Sequence, residues 1–487
     1  MKSNKRIITN SVNMVLALSI RKILTFTYVT LIAKYSELYI TGLFFYLMSI
    51  LTVLGLVMDL GLSPLFIRES SKNIDSIKKY LGATIGIKII LCPLGVISAL
   101  YIVWLTNYPA ITKQLLYMII FMMVLDSFSM TFFGCFRAKQ RLEYEAKSMI
   151  IGHLLMLVLG VYFLFSGYEI QFLILAVLFS SIFNFIYSLY SILFTLKIYP
   201  KILYNWSVTK QFLNDGFPFF ISSIIGIRVV DTLILSYYSD MESVALFGLP
   251  ASVVRGLQLI PIALIAAVYP QMSYLNKKSP EKLGNTFKRS AYSLGIFVLP
   301  LVILLVLLSP DILISIYGKK FNGSVLPLQI LSLSLIPIFF NYLIATLLNA
   351  CDKQVINMVL QVVTSTLHIA LCFILIPTLN AIGAAIVGFA SNAILFSLGS
   401  YWVIKELKKK ITWYLSDIIR ISTAGALMAI LVYCLKNYLY FIYLFPIAVS
   451  GFILFLFIIE KLTLKINSKT KIQNMFYDLY NAIVIKF

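Results

Sequence analysis

Apolar residues fall along this chain in long blocks, with no strict alternation of apolar and polar positions. Blocks of roughly 20 apolar residues are long enough to cross the hydrocarbon core of a bilayer as helices. They lie at about 11–33, 39–60, 81–104, 114–135, 148–166, 171–196, 214–236, 244–270, 290–308, 326–348, 356–376, 382–404, 416–436 and 441–460. None has the period-two pattern of a membrane barrel strand. The expected fold is therefore an all-α integral membrane protein with about fourteen transmembrane helices. Beyond residue 465 the pattern changes. Ile472, Met475, Phe476, Leu479, Tyr480 and Ile483 share one helical stripe, as in a helix lying on a membrane surface or packed on the protein's own loops.

Composition agrees with the blocks. Of 487 residues 60% are hydrophobic and 12% charged, with mean hydropathy +0.94. A soluble domain of this length cannot hide so much apolar surface. The net charge of +21 would suggest nucleic acid in a soluble protein. Here it reads as basic loops held against an anionic leaflet, with no nucleic acid as partner. With the N-terminus inside, about 29 basic residues fall in inward segments and about 5 outward, these being Lys34, Lys113, Lys319, Lys320 and Lys436. This bias places both termini in the cytoplasm. Lys2 to Arg6 followed by an apolar run mimics a signal peptide. Arg21 and Lys22 interrupt that run, so it is expected to stay as an uncleaved first span. Five cysteines without a CxxC pair suggest neither a disulfide framework nor a metal site.

An internal duplication organises the spans. Ser19-Ile20-Arg21 resembles Gly226-Ile227-Arg228, and Pro93 matches Pro300, both at an offset of 207. Pro64, ending span 2, matches Pro270, ending span 8. Spans 1–6 and 7–12 are thus expected to be two six-helix bundles in parallel pseudo-twofold repeat, followed by two C-terminal helices. Residues 1–212 form the N-terminal bundle, 213–410 the C-terminal bundle, 411–463 the added helices and 464–487 a cytoplasmic amphipathic tail. Two such bundles rocking about a midplane cleft make a transporter. Prolines within spans (Pro93, Pro218, Pro250, Pro261, Pro300, Pro337) fit bending helices.

Charges at membrane depth cost about 2.5–3.5 kcal/mol or more each and usually face a polar interior. The candidates are Arg21, Lys22, Lys88, Arg228, Arg255 and Arg420 among cations, and Asp59, Asp126, Asp215 and Asp231 among acids. Asp59 and Asp215 lie near span ends, within reach of water. Lys88 and Arg420 are placed to snorkel to the inner surface. Arg228 and Asp231 are spaced to neutralise each other. Asp126 is a partner for Arg21 or Lys22. The repeat sets Arg21 and Arg228 at equivalent places, so a cavity lined by cations from both halves would attract an anion. Arginine suits phosphate because it stays charged and offers a planar fork of donors.

The chain resembles the Wzx-type polysaccharide or O-antigen flippases of the multidrug/oligosaccharidyl-lipid/polysaccharide exporter superfamily. The resemblance rests on length, the span plan and local stretches: Asp59-Leu-Gly61-Leu-Ser-Pro64 with Arg68-Glu69, Gly216-Phe-Pro218, Tyr317-Gly318-Lys-Lys-Phe321 and Ala381-Ile-Gly383-Ala384-Ala385. It implies that an oligosaccharide on polyprenyl diphosphate is flipped from the inner to the outer leaflet of the bacterial plasma membrane by alternating access. The substrate, membrane lipids and polysaccharide assembly proteins are the implied partners. The implied cationic cavity falls on Arg21, Lys22, Lys88, Arg228 and Arg255, with Asp126 and Asp231 as candidates for coupling or charge compensation. A cation-coupled multidrug antiporter and a lipid-linked peptidoglycan precursor flippase share this architecture. A membrane polymerase or glycosyltransferase would need a larger outward loop, and GxxxxGK[ST], HExxH and GxSxG patterns do not occur. No enzymatic activity, cofactor or metal is therefore expected.

Overall fold

The computed structural model describes residues 2–73, 76–105, 109–200, 206–225, 229–407 and 415–463. Throughout them the secondary structure is helical, with no strand. This is the solution a bilayer enforces, since lipid offers backbone N–H and C=O groups no partners and a helix pairs them within the segment. Twelve of the described helices are long and apolar enough to cross a membrane. The protein is a multi-pass membrane protein.

Two compact units make up the chain, Met1–Ala245 and Leu246–Phe487. In the first, α1 (Lys2–Tyr35), α2 (Leu38–Asp59), α4 (Ile77–Leu105), α5 (Ala110–Ala138), α6 (Leu142–Phe165) and α7 (Ile170–Tyr190) carry the first six predicted spans, and a π-helical turn, Ser191–Thr195, extends α7. The short α3 (Leu62–Lys72) follows α2. The tyrosine hydroxyl of Tyr28 on α1 donates to the Leu173 carbonyl of α7 at 2.7 Å, fixing the rotation of α1 in the bundle. Around the ends of α5 and α6 lies an aromatic core of Phe66, Phe132, Phe133 and Phe136 with Met149. Predicted span 7 is carried by α8 (Trp206–Ile225) and α9 (Val230–Tyr238), on either side of 226–228. Both pack on α2, and α8 also packs on α3, so this compact unit runs through Ala245 where the repeat placed a boundary at 212/213.

The second unit takes up α10 (Met241–Leu257) past its first turn, then α11 (Leu259–Lys278), α12 (Pro280–Leu307), α13 (Ser309–Tyr317), a 3-10 turn at Lys319–Ser324, α14 (Val325–Ala350), α15 (Gln354–Glu406), α16 (Leu415–Leu435) and α17 (Phe441–Thr463). Predicted span 8 divides into α10 and α11 at Gln258, whose backbone stays helical at φ −65°, ψ −12°. Pro261 accounts for the lost helical hydrogen bond, because it has no N–H for the Leu257 carbonyl and its ring crowds that carbonyl. Pro270 was expected to end this span, yet α11 continues through it to Lys278.

At 53 residues α15 would be about 80 Å long if straight, far more than the hydrocarbon core. It is not straight, since Asn380 has φ 49°, ψ −127°. His368 Nδ1 lies 2.9 Å from Ser391 Oγ, although 23 residues of straight helix would separate them by about 34 Å. A Cβ on Gly383 would sit 2.3 Å from the Leu375 carbonyl oxygen. The segment is thus a helical hairpin folded at Asn380, and the predicted spans 356–376 and 382–404 are its two arms.

Helices α12, α16 and α17 share a core of Leu304, Met428, Val432, Leu444, Phe452 and Leu456. At one end of that core the Tyr292 hydroxyl donates to the fully buried Glu460. Beside it Asp417 pairs with Lys288 at 3.7 Å and Arg420 at 3.5 Å. Arg420 therefore pairs with an aspartate one turn before it and does not snorkel.

Candidate functional site

Two of the predicted charges meet at the end of α2. Lys88 on α4 has no exposed surface, and its ammonium group donates to Asp59 Oδ1 at 2.8 Å and to the Ser127 carbonyl of α5 at 2.7 Å. Asp59 also accepts the Ser63 backbone N–H at Oδ2, 3.2 Å, and the Ser63 hydroxyl at Oδ1. The snorkelling expected of Lys88 does not occur, because a carboxylate and a carbonyl inside the bundle replace the water it would reach. Asp59, expected to reach water, keeps 19% of its side chain exposed while bonded to Lys88 and Ser63. Asp215 is exposed.

A second ion pair was not anticipated. Arg137, near the end of α5, grips the fully buried Glu145 of α6 side-on: Nε lies 3.2 and 3.0 Å from the two carboxylate oxygens and Nη2 lies 2.6 Å from Oε1. One edge of the guanidinium is thereby committed, and the side chain keeps 39% exposure. The sequence signal was present in two opposite charges flanking the tight connection between α5 and α6.

Arg21 lies on α1, half-buried, within electrostatic range of both Glu145 and Arg137. It forms no ion pair among the described residues. Lys22 is its half-buried neighbour. Asp126 partners neither of them and is hydrogen-bonded to Ser181 on α7. His153 bonds through Nδ1 to the Met149 carbonyl at 2.9 Å. Around Arg21, then, two cations of α1 and the Arg137–Glu145 pair leave an excess of positive charge in an apolar bundle.

Of the remaining predicted residues, Asp231 is buried in the first turn of α9, whereas Arg228 lies outside the described residues. Arg255 is half-buried in the last turn of α10, where a cation complements the negative end of the helix dipole. It stands three residues before Gln258, whose side-chain oxygen accepts the Tyr342 hydroxyl at 3.4 Å. Elsewhere in the second unit, a cavity of about 350 Å³ is lined by Asp311, Ser315, Lys436, Asn437, Tyr438 and Tyr440 among others, and by none of the predicted cations.

The family model for polysaccharide biosynthesis proteins matches residues 7–276, more than half of the chain. The chain belongs to the polysaccharide biosynthesis protein family. A second model, MatE, matches residues 218–374 of this family member. A Shigella flexneri protein named as an O-antigen transporter is 25% identical to it over 246 residues, 50% of this chain. The matched stretch spans 57% of that relative's length. Among solved structures, the lipid II flippase MurJ in an inward closed conformation shares its fold with TM-score 0.74 at 18% identity, over 92% of this chain and 98% of that one. An inward-facing multidrug resistance MATE family transporter gives TM-score 0.62 at 15% identity, over 82% of this chain and 100% of that one. At these identities the likeness is one of fold.

Proposed function

We propose that the protein flips an oligosaccharide carried on polyprenyl diphosphate, an O-antigen or related polysaccharide repeat unit, from the inner to the outer leaflet of the bacterial plasma membrane. Both termini face the cytoplasm, and access alternates through a cationic cavity. The observation that carries this reading is Arg21, a half-buried arginine within a span that has no ion pair among the described residues. A guanidinium so placed is costly unless an anion completes it. Lys22, Arg255 and the equivalent Arg228 extend the cationic set. Lys88, already matched by Asp59, is a structural charge in this scheme.

The physics of the cargo fits. Sugar hydroxyls lose their water partners in hydrocarbon, and a diphosphate loses more. A wet, basic cleft removes both penalties while the lipid tail stays in the bilayer. A negative interior favours outward movement of anions by about 2.3 kcal/mol per charge per 100 mV. Polysaccharide assembly proteins would take the unit up on the outer side.

The test is flipping of a fluorescent polyprenyl-diphosphate saccharide in proteoliposomes, read by quenching from the outside. Wild type should flip it. Arg21→Gln should slow flipping about 10- to 100-fold, the value of one charge-assisted hydrogen bond, while Arg21→Lys keeps part of the rate. Equal flipping of a phosphate-free lipid saccharide would remove the anion from the scheme. Preference for a peptidoglycan precursor head group would move the protein to the flippase class that the MurJ fold likeness represents.

A further inference from the structure

The corner between α2 and α3 combines features that the cationic cavity does not use. Leu60 (φ 44°, ψ 29°) and Gly61 (φ 73°, ψ 10°) are two consecutive residues in the left-handed region. Such a conformation costs a non-glycine residue about 1–2 kcal/mol, so Leu60 holds it only because its surroundings fix it. They do so through Asp59. Its carboxylate accepts the Ser63 N–H and hydroxyl on the far side of the corner and the ammonium of Lys88 from α4.

What the corner touches is α8. A Cβ on Gly61 would stand 2.3 Å from the Gly216 carbonyl oxygen and 2.6 Å from the Phe220 nitrogen. The two backbones therefore meet with no room for a side chain. Beside this crossing, Leu62, Leu65, Ile87 and Phe212 form a small buried cluster, Tyr80 lies against Phe212 with ring centroids 5.5 Å apart, and the Arg68 guanidinium sits 5.4 Å from the centre of the Phe219 ring. Helix α8 opens the second copy of the repeat and holds Pro218. The corner closes the first copy's second span. The contact thus joins the two copies at the end of the membrane where α2 finishes.

We infer that the Asp59–Gly61 corner is a latch that holds this end of the transport path closed against α8, with Lys88, Asp59 and Ser63 as its positioning residues. The inference rests on the transport reading above, since only a path between the copies needs such a latch. Its chemistry suits repeated use. The face that must part is a glycine–glycine crossing with one small apolar cluster and one ring–guanidinium contact. The ion pair and hydrogen bonds that shape the corner join Asp59, Ser63, Lys88 and Ser127, none of them on α8, and so survive the separation. The second copy has no such corner, because α11 runs unbroken through Pro270, the counterpart of Pro64. The latch is one-sided.

The test uses the full chain in nanodiscs, with the exposed Cys434 replaced by serine and spin labels at Arg68→Cys and Phe219→Cys. A short and a long distance population are expected. Gly61→Ala should cut the short population at least fivefold. Gly216→Ala, whose Cβ would meet the Leu60 carbonyl at 3.3 Å, should cut it less. Lys88→Met with Asp59→Leu, which removes the pins without adding a Cβ, should shift it in the same direction, so the test stands if Gly61→Ala does not fold. A short bismaleimide joining the two cysteines should stop flipping. A single short distance unmoved by these substitutions, or wild-type flipping by the cross-linked protein, overturns the latch. The distances report on it even if the saccharide lipid proves not to be the cargo, and loss of flipping in Arg21→Gln leaves them unchanged.

Discussion

Lys88 holds an ammonium group with no exposed surface, and its partners decide what it does. Removing one member of a buried ion pair costs about 3–5 kcal/mol, because the other charge is left uncompensated, while replacing both with apolar groups of similar size is far milder. Lys88→Met alone should therefore lower the unfolding midpoint in detergent clearly more than Lys88→Met combined with Asp59→Leu. The same logic applies to Arg137 and Glu145: Arg137→Ala should destabilise strongly and Arg137→Ala with Glu145→Leu much less, measured by the same thermal scan. The charges themselves were readable in the sequence, as interruptions of apolar blocks. Their pairings were not, because Lys88 and Asp59 are 29 residues apart on different helices and apolar periodicity carries no register between neighbours. Asp417 and Arg420, three apart on one helix, obey a local rule and could have been paired from spacing alone.

For whole helices the apolar blocks located most elements, and the differences arise where helices break. Of the prolines within spans, Pro93, Pro300 and Pro337 lie inside continuous helices, whereas Pro261 follows a local loss of helical hydrogen bonding at Gln258. Proline alone does not separate the two cases, since membrane helices re-satisfy the freed carbonyl in several ways. The hairpin at Asn380 was expected only as a gap between two blocks, yet its positive φ is a sharp constraint. Asn380→Val should lose about 1–2 kcal/mol of stability relative to Asn380→Gly, since a β-branched side chain resists φ near 49°. Comparing the two variants by thermal unfolding isolates the backbone term, because both lose the asparagine amide. The α2–α3 corner escaped sequence reading for a related reason: Gly61 was visible, but a left-handed leucine before it has no compositional mark.

On the scale of the molecule, the distribution of lysine and arginine makes the most direct claim. Single cysteines at Lys139 and Lys278 should label only from the cytoplasmic side of intact cells, and cysteines at Lys320 and Lys436 only from outside, when probed with a membrane-impermeant thiol reagent. Opposite labelling would invert the orientation on which outward flipping depends. The amphipathic stripe at 472–483 lies outside the described residues. The compact unit that ends at Ala245 includes α8, which rests on α2 and α3.

The polar tie between α12 and the last two helices has a practical consequence for engineering. Glu460 and Asp417 are each served by residues of α12, Tyr292 and Lys288, so the terminal pair is no interchangeable cassette. A hybrid that takes its final two helices from a different exporter would strand a carboxylate or an ammonium group in hydrocarbon unless positions 288 and 292 are transplanted with them. Hybrids built with and without that pair of exchanges should differ sharply in yield.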